Sequence, residues 1–438
     1  MKSQYNEFYQ RRKILQSKIG DGVAILFNNE KIYRNRDSHF KFRSDSYFHY
    51  LTGFPEPESV LFITGGKYPL SILFCKKKDK EKEIWDGFIY GPNEAKKTFL
   101  FDEVYTLEKL NEFAIKIIAN QKKIYSLTTN NSQQQTLINY WFAFNKKQKR
   151  AGTRSPEMIV DLTTILDPMR VVKSPHEIHL MQKSADIAAE AHIKAMQIVS
   201  PNKNEYQIEG EILSYFIQSG ARDQAYQSIV AGGRNACTLH YIANDKKLKD
   251  GDLILVDAGC EYELYASDIT RTYPINGRFS PAQKNVYEMV LLAQKKAIEE
   301  AKSGNPFNAP HTAALKIIID GLIDLKLCNG SRSEVEDKKL YRDYFMHRTS
   351  HWLGLDVHDA GDYVDEKGNS IKLKDGNVLT IEPGCYIQPS RKIPKEFWGI
   401  GIRIEDDICI KKNNPIILTK KAPKEINDLE SLVGSAHD

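Results

Sequence analysis

Short apolar runs alternate with longer polar, helix-period segments through residues 1–150. VAILF, SVLFITGG and LSILFC have the length and β-branched content of buried strands, whereas LEKLNEFAIKIIAN spaces its apolar residues for a helix. The alternation predicts a small α/β domain. Stronger helix starts follow. In SPHEIHLMQKSADIAAEAHIKAM, Ser174 occupies the N-cap, Pro175 the first helical position and Glu177 the reciprocal capping-box position. Ser280, Pro281 and Gln283 repeat this start ahead of NVYEMVLLAQKKAIEEAK, and HTAALKIIIDGLIDLKL predicts a third helix. Strand-like segments lie between the first two, while NVLTIEPGCYI and GIGIRIEDDICI alternate as antiparallel strands do. Two helices, then strands, given twice, would allow a pseudo-symmetric α+β domain, expected over residues 166–438 behind the smaller α/β domain of residues 1–165. The basic stretch NKKQKRAGTRSP, residues 145–156, reads as a linker. KKKDKEKE, residues 76–83, reads as a solvated loop in preference to a binding patch.

Composition narrows the function classes. A chain of 438 residues, 41% hydrophobic and 27% charged, has enough material for two cores. Its 62 basic and 57 acidic residues leave a net charge of +5, which gives no reason to expect a nucleic-acid partner. MKSQYNEFYQRRKILQ lacks an apolar leader core, and no run approaches the ~18 apolar residues of a membrane span, so no membrane partner is expected. Cys75, Cys237, Cys260, Cys328, Cys385 and Cys409 show no CxxC spacing. They are expected to be buried thiols of a reducing compartment, and a cytoplasmic location fits.

Ionisable residues in strand-like surroundings carry the chemistry. Asp257 closes the run LILVD, Asp268 precedes a β-branched pair, Glu382 follows LTI, Glu405 lies among isoleucines, and His351 stands beside Trp352. One strand carboxylate is usually an ion-pair partner, and one histidine beside a tryptophan is usually a core residue. Five such residues in one half-chain ask for a shared cause, because a buried charge is costly unless paired or bound to a cation. Arg271 and Arg403 are too few to neutralise four carboxylates, whereas two divalent cations neutralise them. Oxygen-rich ligation with one imidazole suits Mn²⁺ above all, with Co²⁺, Zn²⁺ or Fe²⁺ as alternatives. Asp257 and Asp268 would then be ligands whose spacing is set by adjacent strands.

LHYIANDKKLKDGDLILVDAGCEYELYASDITRTYPINGRFSPAQ, SHWLGLDVHDAG, LTIEPGCYI and GIGIRIEDDI also stand in the order and spacing of a known family. From about residue 170 to about residue 427 the chain resembles the aminopeptidase P / prolidase group of the pita-bread metallopeptidases. The N-terminal half resembles it more loosely, at YFHYLTGFPEPESVL and EIWDGFIYGPNEA. The resemblance implies a creatinase-type N-terminal domain ahead of a pita-bread catalytic domain. It implies two metal ions held by Asp257, Asp268, His351, Glu382 and Glu405. Asp268 and Glu405 would bridge both, Asp257 would hold one, and His351 with Glu382 would complete the other.

His240, His347 and His358 are implied to line the pocket for the residue after the scissile bond and to donate to the peptide carbonyl. Arg403 either orients these carboxylates or pairs with Asp406 or Asp407. Tyr386 is a pocket residue or simply packed; Trp85 either reaches a neighbouring subunit's site or is buried core. The implied reaction releases an N-terminal residue followed by proline. A hydroxide bridging the metals attacks, Glu382 relays a proton to the proline nitrogen, and His358 steadies the oxyanion. A homo-oligomer, dimer or tetramer, is implied as well. The nearest alternative is a prolidase confined to Xaa-Pro dipeptides. Methionine aminopeptidases usually lack the large N-terminal domain, and an intact ligand set argues against a catalytically silent peptide-binding scaffold. Two positions depart from the family's pattern: Arg348, where many relatives have glycine, and Arg234 in AGGRNAC, expected to add charge near the entrance.

Overall fold

The computed structural model describes residues 2–437, which form two compact units meeting at Met169 and Arg170. In the first unit, six strands form one sheet in the order Glu103–Thr106, Ser71–Cys75, Val60–Thr64, Gly22–Phe27, Lys123–Ser126 and Met158–Asp161. Gly22–Phe27 is central and buried along its whole length, antiparallel to Val60–Thr64 and parallel to Lys123–Ser126. A strand buried on both faces reads as an unbroken apolar run, which is why VAILF does not alternate. Trp141, on the helix Ser132–Lys147, covers this sheet against Phe27 and Phe62.

Two expectations fail here. Residues 145–156 are no linker between domains: they return the chain to the sheet, where Met158–Asp161 pairs in parallel with Lys123–Ser126. The polar surface of that turn is the solvated face of a folded connection. The second half of KKKDKEKE is helical, because the Asp79 side chain accepts the N–H groups of Glu81 and Lys82 and starts the short helix Lys80–Asp86.

The second unit contains the helix pairs Pro175–Ile198 with Glu205–Gln218, and Pro281–Glu300 with Ala309–Asp324. Both proline-led starts form full capping boxes, Ser174 with Glu177 and Ser280 with Gln283. Small antiparallel sheets share one core with these helices. Leu253–Asp257 lies between Ile229–Gly232 and Thr270–Pro274, with Asp257 opposite Thr270. Val378–Ile381 pairs with Asp406–Cys409, and Gly384–Ile387 pairs with Ile400–Arg403. The glutamates thus fall at strand ends, where the backbone is fixed but the side chain faces a cavity.

Among the described residues all six cysteines are free and buried, and no helix is long and apolar enough to cross a membrane.

Candidate active site

Asp257, Asp268, His351, Glu382 and Glu405 line a single cavity of about 850 Å³ within the second unit. Asp257 ends one strand, and Asp268 lies two residues before Thr270 on the neighbouring one. Asp257 stands across from Thr270, and the Tyr226 hydroxyl reaches both Asp257 and Asp268. Glu405 follows Ile400–Arg403 and Glu382 follows Val378–Ile381. One donor atom from each of Asp268, His351 and Glu405 falls within a common 4.8 Å. His351 Nε2 is 3.4 Å from Asp268 Oδ2 and 3.6 Å from Glu382 Oε1.

The polar partners of these groups support a cation centre. The Tyr226 hydroxyl lies 2.6 Å from Asp257 Oδ1 and 2.5 Å from Asp268 Oδ1, yet it has one proton for two acceptors. The second carboxylate needs a further positive partner. His351 Nδ1 is 3.0 Å from the Trp352 carbonyl, which can only accept, so Nδ1 carries the proton. In the neutral imidazole Nε2 is then the lone pair aimed into the cluster, the usual arrangement of a metal-binding imidazole. Arg271 is spent elsewhere, on Asp406, leaving Arg403 as the one arginine on the cluster. Its guanidinium reaches Asp257 at 2.5 Å, Thr270 Oγ1 at 3.0 Å and the Tyr386 hydroxyl at 2.9 Å. Thr270 in turn donates to Glu405 Oε2 at 2.7 Å. The residues therefore fit divalent cations.

Without cations the charges are unbalanced. Burial, then Asp268, Glu382 and Asp257, push the Glu405 carboxyl well above its usual range. Burial, reinforced by Asp268 and Asp257, pushes Glu382 up to about 7. Burial works against His351 protonation, but the hydrogen bond to Asp268 and the charge of Glu382 push it up to about 9. Each group holds its proton more tightly when folded, so its stabilising contribution is present below the unfolded pKa and is lost as pH rises through the folded one. His192, His311 and His347, held down at about 4 by burial, have the opposite effect only below the ordinary histidine value of 6.5. The unfolding temperature of the chelated protein is therefore expected to fall between pH 6.5 and about 9, and that of the cation-loaded protein to change less. Equal slopes in the two forms would rule out cation binding by this cluster.

The other expected site residues divide. His240 and His358 are exposed and line the cavity, and the His358 ring meets His351 edge-on at 4.4 Å. His347 also lines it, but both its nitrogens are engaged by protein. Nδ1–H donates to the Arg348 carbonyl at 2.7 Å, and Nε2 accepts from the Tyr386 hydroxyl at 2.8 Å. In this arrangement no N–H of His347 is left for a peptide carbonyl. Tyr386 is fully buried between His347 and Arg403, outside the cavity lining. Arg403 pairs with Asp257, and neither Asp406 nor Asp407 is its partner. Trp85, in the first unit, is 89% exposed and is no core residue. Arg348 lines the cavity, whereas Arg234 stands beside Gly399 outside its lining.

Sequence reasoning missed three contributors. Tyr226 bridges two ligands, but nothing in AYQSIVAGG separates it from a core tyrosine. Asp407 accepts the Asp268 N–H at 3.1 Å through one oxygen, while the other is buried without a partner. Glu205 is a buried hub for the loop bearing His240. Its carboxylate accepts from Gly232 N at 2.8 Å, Asn235 Nδ2 at 2.9 Å, the Tyr241 hydroxyl at 2.8 Å and Lys246 N at 2.9 Å.

Residues 179–412 match the profile of metallopeptidase family M24, and residues 8–125 that of the aminopeptidase P N-terminal domain. The Xaa-Pro aminopeptidase of Haemophilus influenzae is 40% identical over 98% of this chain and 97% of its own. That of Escherichia coli is 36% identical over 98% of each. The solved structure of Pseudomonas aeruginosa aminopeptidase PepP superposes with a TM-score of 0.97 at 39% identity, covering 99% of this chain and 98% of that one. With a family profile spanning more than half of its length and relatives matched almost end to end, the chain belongs to metallopeptidase family M24, as a pita-bread catalytic domain preceded by an aminopeptidase P N-terminal domain.

Proposed function

We propose that the protein releases the N-terminal residue from peptides with proline in the second position, the activity that the names of the Haemophilus influenzae and Escherichia coli relatives carry. The observation that carries this reading is the convergence of Asp257, Asp268, His351, Glu382 and Glu405 on one cavity. We assign these five as ligands of two divalent cations, Mn²⁺ before Co²⁺, Zn²⁺ or Fe²⁺, since oxygen donors outnumber the single imidazole. Bound there, the cations lower the pKa of water and stabilise negative charge developing on the scissile carbonyl.

The chain's own residues supply the rest. Arg403 and Tyr226 fix Asp257, the former as a charge-assisted donor. As water adds to the scissile carbonyl carbon, Glu382 passes the proton that the water loses to the proline nitrogen, whose bond to that carbon breaks. His358, exposed beside His351, donates to the oxyanion, and His240 lines the pocket for the leaving side. His347 acts as wall and support, with both nitrogens committed. Proline needs such a dedicated pocket because its nitrogen carries no N–H and its φ is fixed.

Six buried free thiols support a cytoplasmic location. The exposed Ile84, Trp85 and Phe88 of the first unit support a homo-oligomer whose second copy covers them. Assay of the metal-stripped protein, with each divalent ion added back, tests the reading on a panel containing Arg-Pro and Arg-Pro-Pro. Mn²⁺ is expected to restore the greatest release of arginine from the tripeptide. Cleavage of the dipeptide alone would make the protein a prolidase, and no release with any ion would leave a binding scaffold.

A further inference from the structure

Building on this peptidase reading, we propose that Arg348 binds a carboxylate of the leaving peptide, beyond the proline, and so selects substrates by charge. Among the described residues lining the cavity, the carboxylates are Asp257, Asp268, Glu382 and Glu405, all of them in the ligand set. The lining cations are Arg348 and Arg403, and Arg403 is committed to Asp257. Arg348 is exposed and makes no ion pair with any described residue. Arg348 is thus the lining cation that has no ion-pair partner among the described residues.

Its position fixes which side of the substrate it meets. Its own carbonyl holds His347 Nδ1, and that nitrogen lies 3.9 Å from Glu382 Oε2, the group proposed above to protonate the proline nitrogen, so on that reading Arg348 stands near the leaving part of the substrate. Extended peptide advances about 3.3 Å per residue. An arginine rooted one residue past His347 therefore meets the first or second residue after the proline. Neutral donors share the wall: Asn308 lines the cavity, and Ser350 Oγ is buried without a partner. Burial, assisted by the charge of Arg348, holds His311 at about 4, so no second cation forms beside it. A guanidinium fork is shaped for a carboxylate, supplied by either a peptide C-terminus or an acidic side chain.

The experiment compares kcat/KM of the metal-loaded full chain for two matched pairs: Ala-Pro-Ala against its C-terminal amide, and Ala-Pro-Asp-amide against Ala-Pro-Asn-amide. The native protein is expected to favour the charged member of at least one pair about five- to tenfold, less so at high salt. A response in the first pair identifies the terminus as the source, and in the second the side chain. R348Q should bring the ratio towards one, and R348E should invert it. Calorimetric binding of Pro-Ala and its amide should give the same order. Ratios that stay equal across native, R348Q and R348E overturn the role of Arg348 while leaving the peptidase reading intact. Failure of the native protein to cut any of the four peptides overturns that reading and this inference with it.

Discussion

Glu405→Gln is expected to lower turnover by at least ~10²–10³-fold while raising the unfolding temperature of the chelated protein. Disturbing a group that merely orients a ligand costs ~10–100-fold, so removing a carboxylate that would itself hold a cation should cost more. Glu405 is 2% exposed, accepts from Thr270 and shares its donor space with Asp268 and His351. Glutamine keeps the shape but replaces one oxygen by an N–H donor and removes a charge. In the loaded protein that loses a ligand. In the chelated protein it relieves a carboxyl that burial and three acidic neighbours already push towards its neutral form. The opposite signs are the signature. Metal content, turnover and thermal unfolding of the variant check it, and normal metal content with full turnover would sink the ligand assignment.

Asp359→Asn is expected to cost about 3–5 kcal/mol of stability, the size of a buried ion pair broken on one side. Arg170 reaches Asp359 at 2.5 Å and Asp356 at 2.8 Å, and Lys173 reaches Asp359 at 2.9 Å. The side chains of Arg170, Lys173 and Asp359 are each no more than 2% exposed. Asparagine would leave Lys173 buried without a counter-charge. Burial works against the Asp359 charge, but Lys173 and Arg170 outweigh it and hold the carboxyl below its usual range. Its contribution is therefore present at neutral pH and lost as pH falls through the folded pKa. Urea unfolding at pH 7 measures the difference. A loss below about 1 kcal/mol would mean that water screens the triad. Since Asp359 follows His358 directly, a milder fall in activity should accompany the loss.

The five residues that meet at the cavity were legible because a strand tolerates an ionisable group only with a partner, and the sequence offered too few arginines. Of the three consecutive acids Glu405, Asp406 and Asp407, the sequence singled out the first but did not reveal the partners of the other two. In the fold, Glu405 joins the cluster, Asp406 meets Arg271 and Lys424, and Asp407 holds the Asp268 N–H. That division depends on which neighbour each face of a strand meets, which spacing alone does not encode. Capped helices were readable because their signals are local. The polar turn at residues 145–156 misled because a solvated connection and a linker share one composition. Tyr226 and Glu205 act through partners brought near by tertiary structure, so only the fold reveals them.

The donors that converge run from Asp257 to Glu405, and no short segment contains more than a few of them. A nascent chain that has not yet emitted Glu405 lacks the acid that closes the cluster, however much of the earlier sheet has formed. On the proposed ligand assignment, cofactor loading would be the final act of maturation, and a truncated or half-folded chain would carry no activity to misdirect.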